Sequence, residues 1–263
     1  MLEWIIFALI GVLSGLSSGL LGLGGGVIIV PALLFVFSWQ GLLGSQLMHM
    51  AVATSLMTII ITSVISAYGH HQHQYVDWKI VKKLVPGLVL GGLLGAALAT
   101  QLSGQFLQQF FAVYLLFAAI KIWLPNPATV HQQLLRKPVL ISFGSTVGII
   151  SALLGIGGGT LVVPYLVMAN QSIQRAIGTS ATCGLPIAVA AVTGFIIFGQ
   201  AQEGGTINLG SGFIYWPAFL GIISTSSIFA IVGVKLATRL PIVMLKLMFS
   251  AVLLVGCVYL TII

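Results

Sequence analysis

Charge is what this chain lacks most. Of 263 residues only 5% are Asp, Glu, Lys or Arg, and three of them are carboxylates: Glu3, Asp77 and Glu203. A soluble domain carries about 25% charged residues. This chain therefore has too few to cover itself with a solvated surface. No Asp or Glu lies inside a long apolar run. That argues against ion-coupled carriers that hold an ionisable residue in the membrane. It argues equally against an intramembrane hydrolase, which needs a nucleophile, base or metal set. Cysteine is also scarce. Cys183 and Cys257 both sit in apolar stretches, so neither a disulfide framework nor a metal cluster is expected. No basic residue precedes the first apolar run, which does not read as a cleaved signal peptide.

What is present is apolar. Hydrophobic residues make up 59% of the chain, and the mean hydropathy is +1.16. The reading is an all-α, multi-pass integral membrane protein of the cell membrane, or the inner membrane in a bacterium. Its partners are the lipid bilayer and a small solute. The isoelectric point near 9.7 reflects membrane orientation, not nucleic acid. No cofactor is implied, and oligomeric state is left open.

Runs of spanning length fall at about 4–22, 47–68, 81–100, 105–124, 138–154, 176–199, 211–233 and 242–263. Two runs, 26–38 and 159–169, are too short to cross alone. Each follows one copy of a glycine-rich motif. Gly15-Leu-Ser-Ser-Gly-Leu-Leu-Gly22-Leu-Gly-Gly-Gly26-Val-Ile-Ile-Val-Pro31 returns without a gap as Gly148-Ile-Ile-Ser-Ala-Leu-Leu-Gly155-Ile-Gly-Gly-Gly159-Thr-Leu-Val-Val-Pro164. The duplication goes further. Ala51-Val-Ala-Thr54-Ser55 matches Ala176-Ile-Gly-Thr179-Ser180, and Leu98-Ala-Thr matches Leu236-Ala-Thr. Pro86 is read as answering Pro217. The chain thus divides into a first transmembrane repeat (1–124), a linker (125–137) and a second repeat (138–263). Each repeat is a glycine-broken hairpin plus three transmembrane helices.

If each hairpin returns to the side it left, all ten basic residues fall on one face, with Glu3 and Glu203 on the other. The basic face, with the linker, is then cytoplasmic. Each half makes an odd number of net crossings, so the repeats are inverted in topology, the plan of many secondary transporters.

Four glycines in five positions cost a helix about 1 kcal/mol each against alanine. Irregular backbone at membrane depth persists only inside protein or along a wet cavity. Gly22, Gly24, Gly25 and Gly26, and Gly155, Gly157, Gly158 and Gly159, are therefore read as paired helix breaks. The helices restarting there aim N-terminal N–H groups at a common point, an anion site without a charged side chain. Close helix packing is the plainer alternative, and it is the reading preferred for Gly15 and Gly19. Thr54, Ser55, Thr179 and Ser180 either donate to the anion or back-bond within their helices. Arg175, where the first half has Met50, is a gate residue or an orientation anchor. His49 reads as interfacial or as a proton relay. His70, His71 and His73 read as a solvated loop without metal. Asp77 needs no special role. The five tryptophans fall at span ends, as an aromatic belt would place them.

At these residues the chain resembles the TauE/SafE family of membrane transporters, the sulfite exporter family. The paired G-L-L-G-L-G-G-G…V-P and G-I-G-G-G…V-P segments and the following A-x-x-T-S carry the resemblance. It implies alternating-access export of a small sulfur-containing oxyanion such as sulfite or a sulfonate, bound between the halves. Import of the same or another anion, or a non-transporting membrane binding component, are the alternatives.

Overall fold

The structure is a computed structural model. It describes residues 2–22, 24–42, 46–123, 135–199 and 213–237, with scattered positions from 247 to 260. Nine helices are assigned within these ranges: α1 (Leu2–Leu21), α2 (Gly26–Trp39), α3 (Leu47–Gln72), α4 (Trp78–Ala99), α5 (Gly104–Trp123), α6 (Lys137–Leu154), α7 (Gly159–Met168), α8 (Ile173–Gly199) and α9 (Trp216–Ala237). Six of them, α1, α3, α4, α6, α8 and α9, are long and apolar enough to cross a membrane. α2 and α7, at 14 and 10 residues, rise only about 21 and 15 Å. A bilayer core is about 30 Å thick, so neither crosses alone. The linker before residue 135, Glu203 and most of the run at 242–263 lie outside the described residues.

Large apolar side chains point outward along the helices, among them Phe35, Val113, Leu220 and Ile231. Contiguous exposure of this kind is stable in lipid, not in water. Trp4, Trp39, Trp78 and Trp216 are exposed at helix ends, as an aromatic belt requires.

Glycine sets the tightest packing. α1 lies along α9 and α4 along α6. A Cβ on Gly15 would stand 2.8 Å from the Ser226 Cα, and one on Gly19 2.6 Å from the Val234 N. On α4, a Cβ on Gly91 would stand 2.9 Å from the Ser145 Cα, and one on Gly95 2.8 Å from the Ile149 Cα. Backbones this close admit only small residues. Both seams join the first helix of one half to the fourth helix assigned in the other.

Equivalent helices of the two halves oppose one another. Ser63 of α3 lies against Gly184 of α8, and Tyr75, just past α3, against Gly178. The numbers rise on one side as they fall on the other, so α3 and α8 run antiparallel. Trp78 and Trp216, which open α4 and α9, are related by the same offset as Leu98 and Leu236. Pro86 does not share that register with Pro217: it sits inside α4, whereas Pro217 is the second residue of α9.

The charges segregate. Lys79, Lys82 and Lys83 open α4, Arg136 and Lys137 open α6, Arg175 lies in the first turn of α8, and Lys235 in the last turn of α9. These ends lie together. The Asp77 N–H donates to Thr179 Oγ1 (3.0 Å), Lys83 Nζ donates to the Leu135 carbonyl (3.2 Å), and a Cβ on Gly69 would stand 3.1 Å from Val234. The C-terminal end of α1 joins them, where the Gly19 carbonyl accepts from His70 Nε2 (3.1 Å). Glu3 begins α1 and so stands at the opposite end.

Candidate functional site between two helix breaks

Both glycine motifs break their helices. In the first, Gly22, Gly24 and Gly25 have φ of 67°, 74° and 81°. In the second, Gly155 and Gly158 have φ of 69° and 76°. Side chains rarely tolerate this left-handed region, and glycine enters it freely. α1 closes with the Gly22 N–H on the Ser18 carbonyl (3.0 Å), and α6 with the Ile156 N–H on the Ser151 carbonyl (3.0 Å). Those two serines are equivalent positions of the duplicated motif. The chain then doubles back, so that a Cβ on Gly25 would stand 2.7 Å from the Ser14 carbonyl.

The breaks meet. A Cβ on Gly24 would stand 3.1 Å from the Gly157 Cα and 3.1 Å from Ile59 Cγ2. A Cβ on Gly184 would stand 3.3 Å from the Gly157 carbonyl oxygen. Ile59 and Gly184 lie near the midpoints of α3 and α8, the two longest helices. Gly25 and Gly158 are the N-caps of α2 and α7, and neither helix has a side-chain cap. Two helix N-termini, each with positive dipole character and uncapped N–H groups, thus start close together. Among the described residues, the atoms nearest these glycines are backbone, hydroxyl or aliphatic, with no ionised group.

Thr54, Ser55, Thr179 and Ser180 are all buried beside the breaks, but their hydroxyls hold protein. Ser55 Oγ donates to the Gly155 carbonyl (2.7 Å), and Ser180 Oγ to the Gly22 carbonyl (3.5 Å). Each serine therefore reaches the break of the other half. Thr54 Oγ1 accepts from the Tyr215 N–H (2.9 Å) and Thr179 Oγ1 from the Asp77 N–H (3.0 Å). Tyr215 and Asp77 are the residues just before α9 and α4. The four side chains form two crossed pairs of latches, and none is spent on its own helix. The Thr-Ser repeat in the sequence pointed to the place, not to this use.

Asp77, His70 and His49 depart from their sequence reading. Asp77 has a distinct role: its carboxylate accepts from the Lys79 and Ile80 N–H groups and caps α4. His70 is not in a solvated loop. α3 continues to Gln72, and the His70 ring is buried. His49 is buried too, its Nε2 within 2.9 Å of the Ala99 carbonyl and 3.1 Å of that of Leu102, its ring stacked on Phe213. It ties the start of α3 to the end of α4. Arg175 is exposed in the first turn of α8, whereas Met50 is buried. Cys183 is buried in an apolar cluster. Sequence reasoning passed over Ser18, Ser63 and Ser151, whose buried hydroxyls have no partner among the described residues. Ser18 and Ser151 lie inside the duplicated motif, so the repeat held a signal for them. It also passed over Thr160 in the first turn of α7, which pairs with the Tyr114 hydroxyl.

A helical membrane bundle with two discontinuous helices starting face to face midway along its longest spans has the build of a membrane transporter. The chain belongs to the sulfite exporter TauE/SafE family, whose family model matches residues 7–260. It is 32% identical over 248 residues, 94% of each chain, to a probable membrane transporter protein of Haemophilus influenzae. It is 24% identical over 97% of each chain to the probable membrane transporter protein YunE of Bacillus subtilis. A probable membrane transporter protein of Methanocaldococcus jannaschii is 26% identical over 94% of this chain and 91% of its own. No solved structure matches.

Proposed function

We propose that this membrane transporter exports a small sulfur-containing oxyanion, sulfite or a sulfonate, by alternating access between two inverted repeats, 1–124 and 138–263. One observation carries the reading: the uncapped starts of α2 and α7 face each other with, among the described residues, no ionised side chain between them. Such a place favours an anion, because backbone N–H groups and the helix dipole supply positive potential without burying a cation. The glycines from Gly22 to Gly26 and from Gly155 to Gly159 supply the backbone of this site. The latches of Thr54, Ser55, Thr179 and Ser180 hold its two sides together. The basic end of the bundle is assigned to the cytoplasm, and Arg175 stands there as the gate charge. The antiparallel run of α3 and α8 supports the inversion of the halves.

Energetics favour export. A potential negative inside drives each unit of negative charge outward by about 2.3 kcal/mol per 100 mV. No coupling carboxylate is required. Proteoliposomes containing the purified protein and loaded with sulfite should show sulfite efflux accompanied by movement of negative charge, accelerated by an inside-negative potential. Efflux that is electroneutral and sodium-dependent would refute the uniport. Flux driven only inward would assign import.

A further inference from the structure

We infer that Ser63 and Ser151, together with the start of α7, form the subsite that receives the oxygens of the transported anion. This rests on the transport reading above and specifies which side chains meet the ligand.

A serine inside a membrane helix normally donates to a carbonyl one turn back. Many of the described hydroxyls do so: Thr58, Ser145, Thr182, Thr193, Ser224 and Ser227 all bond carbonyls three or four residues earlier. Ser63 and Ser151 are almost completely buried, and neither hydroxyl has a partner among the described residues. A buried donor left unmade is costly, so native structures rarely keep one without a use.

Their positions coincide with the second break. Ser151 Oγ is 3.3 Å from where a Cβ on Gly158, the N-cap of α7, would stand. Ser63 Oγ is 2.5 Å from the corresponding point on Gly184, itself 3.3 Å from the Gly157 carbonyl. Two free hydroxyl donors therefore flank the uncapped start of a ten-residue helix. An oxyanion with several bare oxygens can accept from both hydroxyls and from the helix N–H groups at once.

The first break repeats this only in Ser18, the counterpart of Ser151, whose hydroxyl is also buried and without a partner among the described residues. At α2 the position of Thr160 is taken by Val27, and the start of the helix is closed by the Gly155 carbonyl and Ser55 Oγ, the latter 2.9 Å from a Cβ on Gly26. Thr62 donates to the Gly24 carbonyl (3.3 Å). Counting from the Thr-Ser repeat, Ser63 corresponds to Ala188. The subsite is one-sided.

The test uses purified full-length protein, with sulfite, isethionate, sulfate and acetate as probes. Dissociation constants are read by calorimetry and thermal midpoints are measured without ligand. Ser63→Ala and Ser151→Ala should each weaken sulfite binding about tenfold or more, the loss expected for a hydrogen bond to a charged group. Their unliganded midpoints should stay at the wild-type value or rise, because the deleted hydroxyls bond no protein group and are costly to bury. Ser18→Ala, and Ser226→Ala on the α1–α9 seam, each also delete a buried, partnerless hydroxyl and should leave the constant within twofold. Wild-type binding with unchanged affinity in both Ser63→Ala and Ser151→Ala would overturn the subsite while leaving the transport reading standing. Equal weakening in Ser18→Ala would overturn its one-sidedness. A wild-type protein that binds none of the four anions and moves no charge would overturn the transport reading and the subsite with it.

Discussion

The two breaks share a motif but not an environment. Both place glycines in the left-handed region and both start an uncapped helix. Around α2, however, the surroundings are closed: the second break presses its Gly155 carbonyl against Gly26, and Val27 follows. Around α7 the Ser63 and Ser151 hydroxyls lie close by among aliphatic neighbours, and Thr160 pairs with Tyr114. Duplicated backbone geometry thus carries divergent side chains at its two breaks. On the proposed alternating-access reading, the two halves would rock while the ligand meets a single asymmetric environment.

The sharpest way to break this comparison is at the point of contact. Gly24→Leu and Gly157→Leu each insert a side chain where the two breaks touch, and each should lower sulfite flux at least 100-fold while the protein still inserts. Gly24 also has a positive φ, and Gly157 does not. Gly24→Leu should therefore carry an additional loss of about 1–2 kcal/mol in stability. Equal thermal midpoints for the two variants would show that the first break relaxes freely. Unimpaired flux would reduce the breaks to packing devices.

The seams come next. Gly15→Leu on α1 and Gly91→Leu on α4 must push apart backbones in direct contact, and each should cost about 3 kcal/mol or more in resistance to thermal unfolding. A similar loss at both would support equivalent roles for the two seams.

The latches should differ. Ser55 holds Gly155 at 2.7 Å, whereas Ser180 reaches Gly22 at 3.5 Å. Ser55→Ala should cost about 1 kcal/mol and Ser180→Ala less than half of that. Asp77→Ala should cost about 1 kcal/mol through loss of the α4 cap. Its counterpart Tyr215 offers α9 no such carboxylate.

The smallest effect is expected at Arg175, which is exposed. Arg175→Gln should slow sulfite flux about two- to threefold at low ionic strength, and the difference should vanish in about 0.5 M salt, where screening removes long-range attraction. A salt-independent loss would place Arg175 in the binding step itself.

Much of this arrangement was legible in the chain. The apolar runs identified the six long helices because a spanning helix must be continuously apolar for about 20 residues. Gly22–Gly26 and Gly155–Gly159 announced the breaks because no other residue enters the left-handed region so cheaply. The fate of hydroxyls was not legible. Thr54, Ser55, Thr179 and Ser180 have the composition of donors to a ligand, and their spacing gives no hint that Tyr215, Gly155, Asp77 and Gly22 would claim them. His70 looked like part of a polar loop because three histidines lie close together, yet the helix carries one of them into the bundle. The α4–α6 seam went unread because its glycines meet a helix some 50 residues away.

The sequence by itself determined that the chain lives in a bilayer, that it is duplicated and where its helices break, since composition and local backbone preference act within a few residues. Only the tertiary structure decided which hydroxyls are spent on protein and which remain free. That choice depends on partners 38 to 161 residues distant, brought within hydrogen-bonding range when equivalent helices pack against each other in opposite directions.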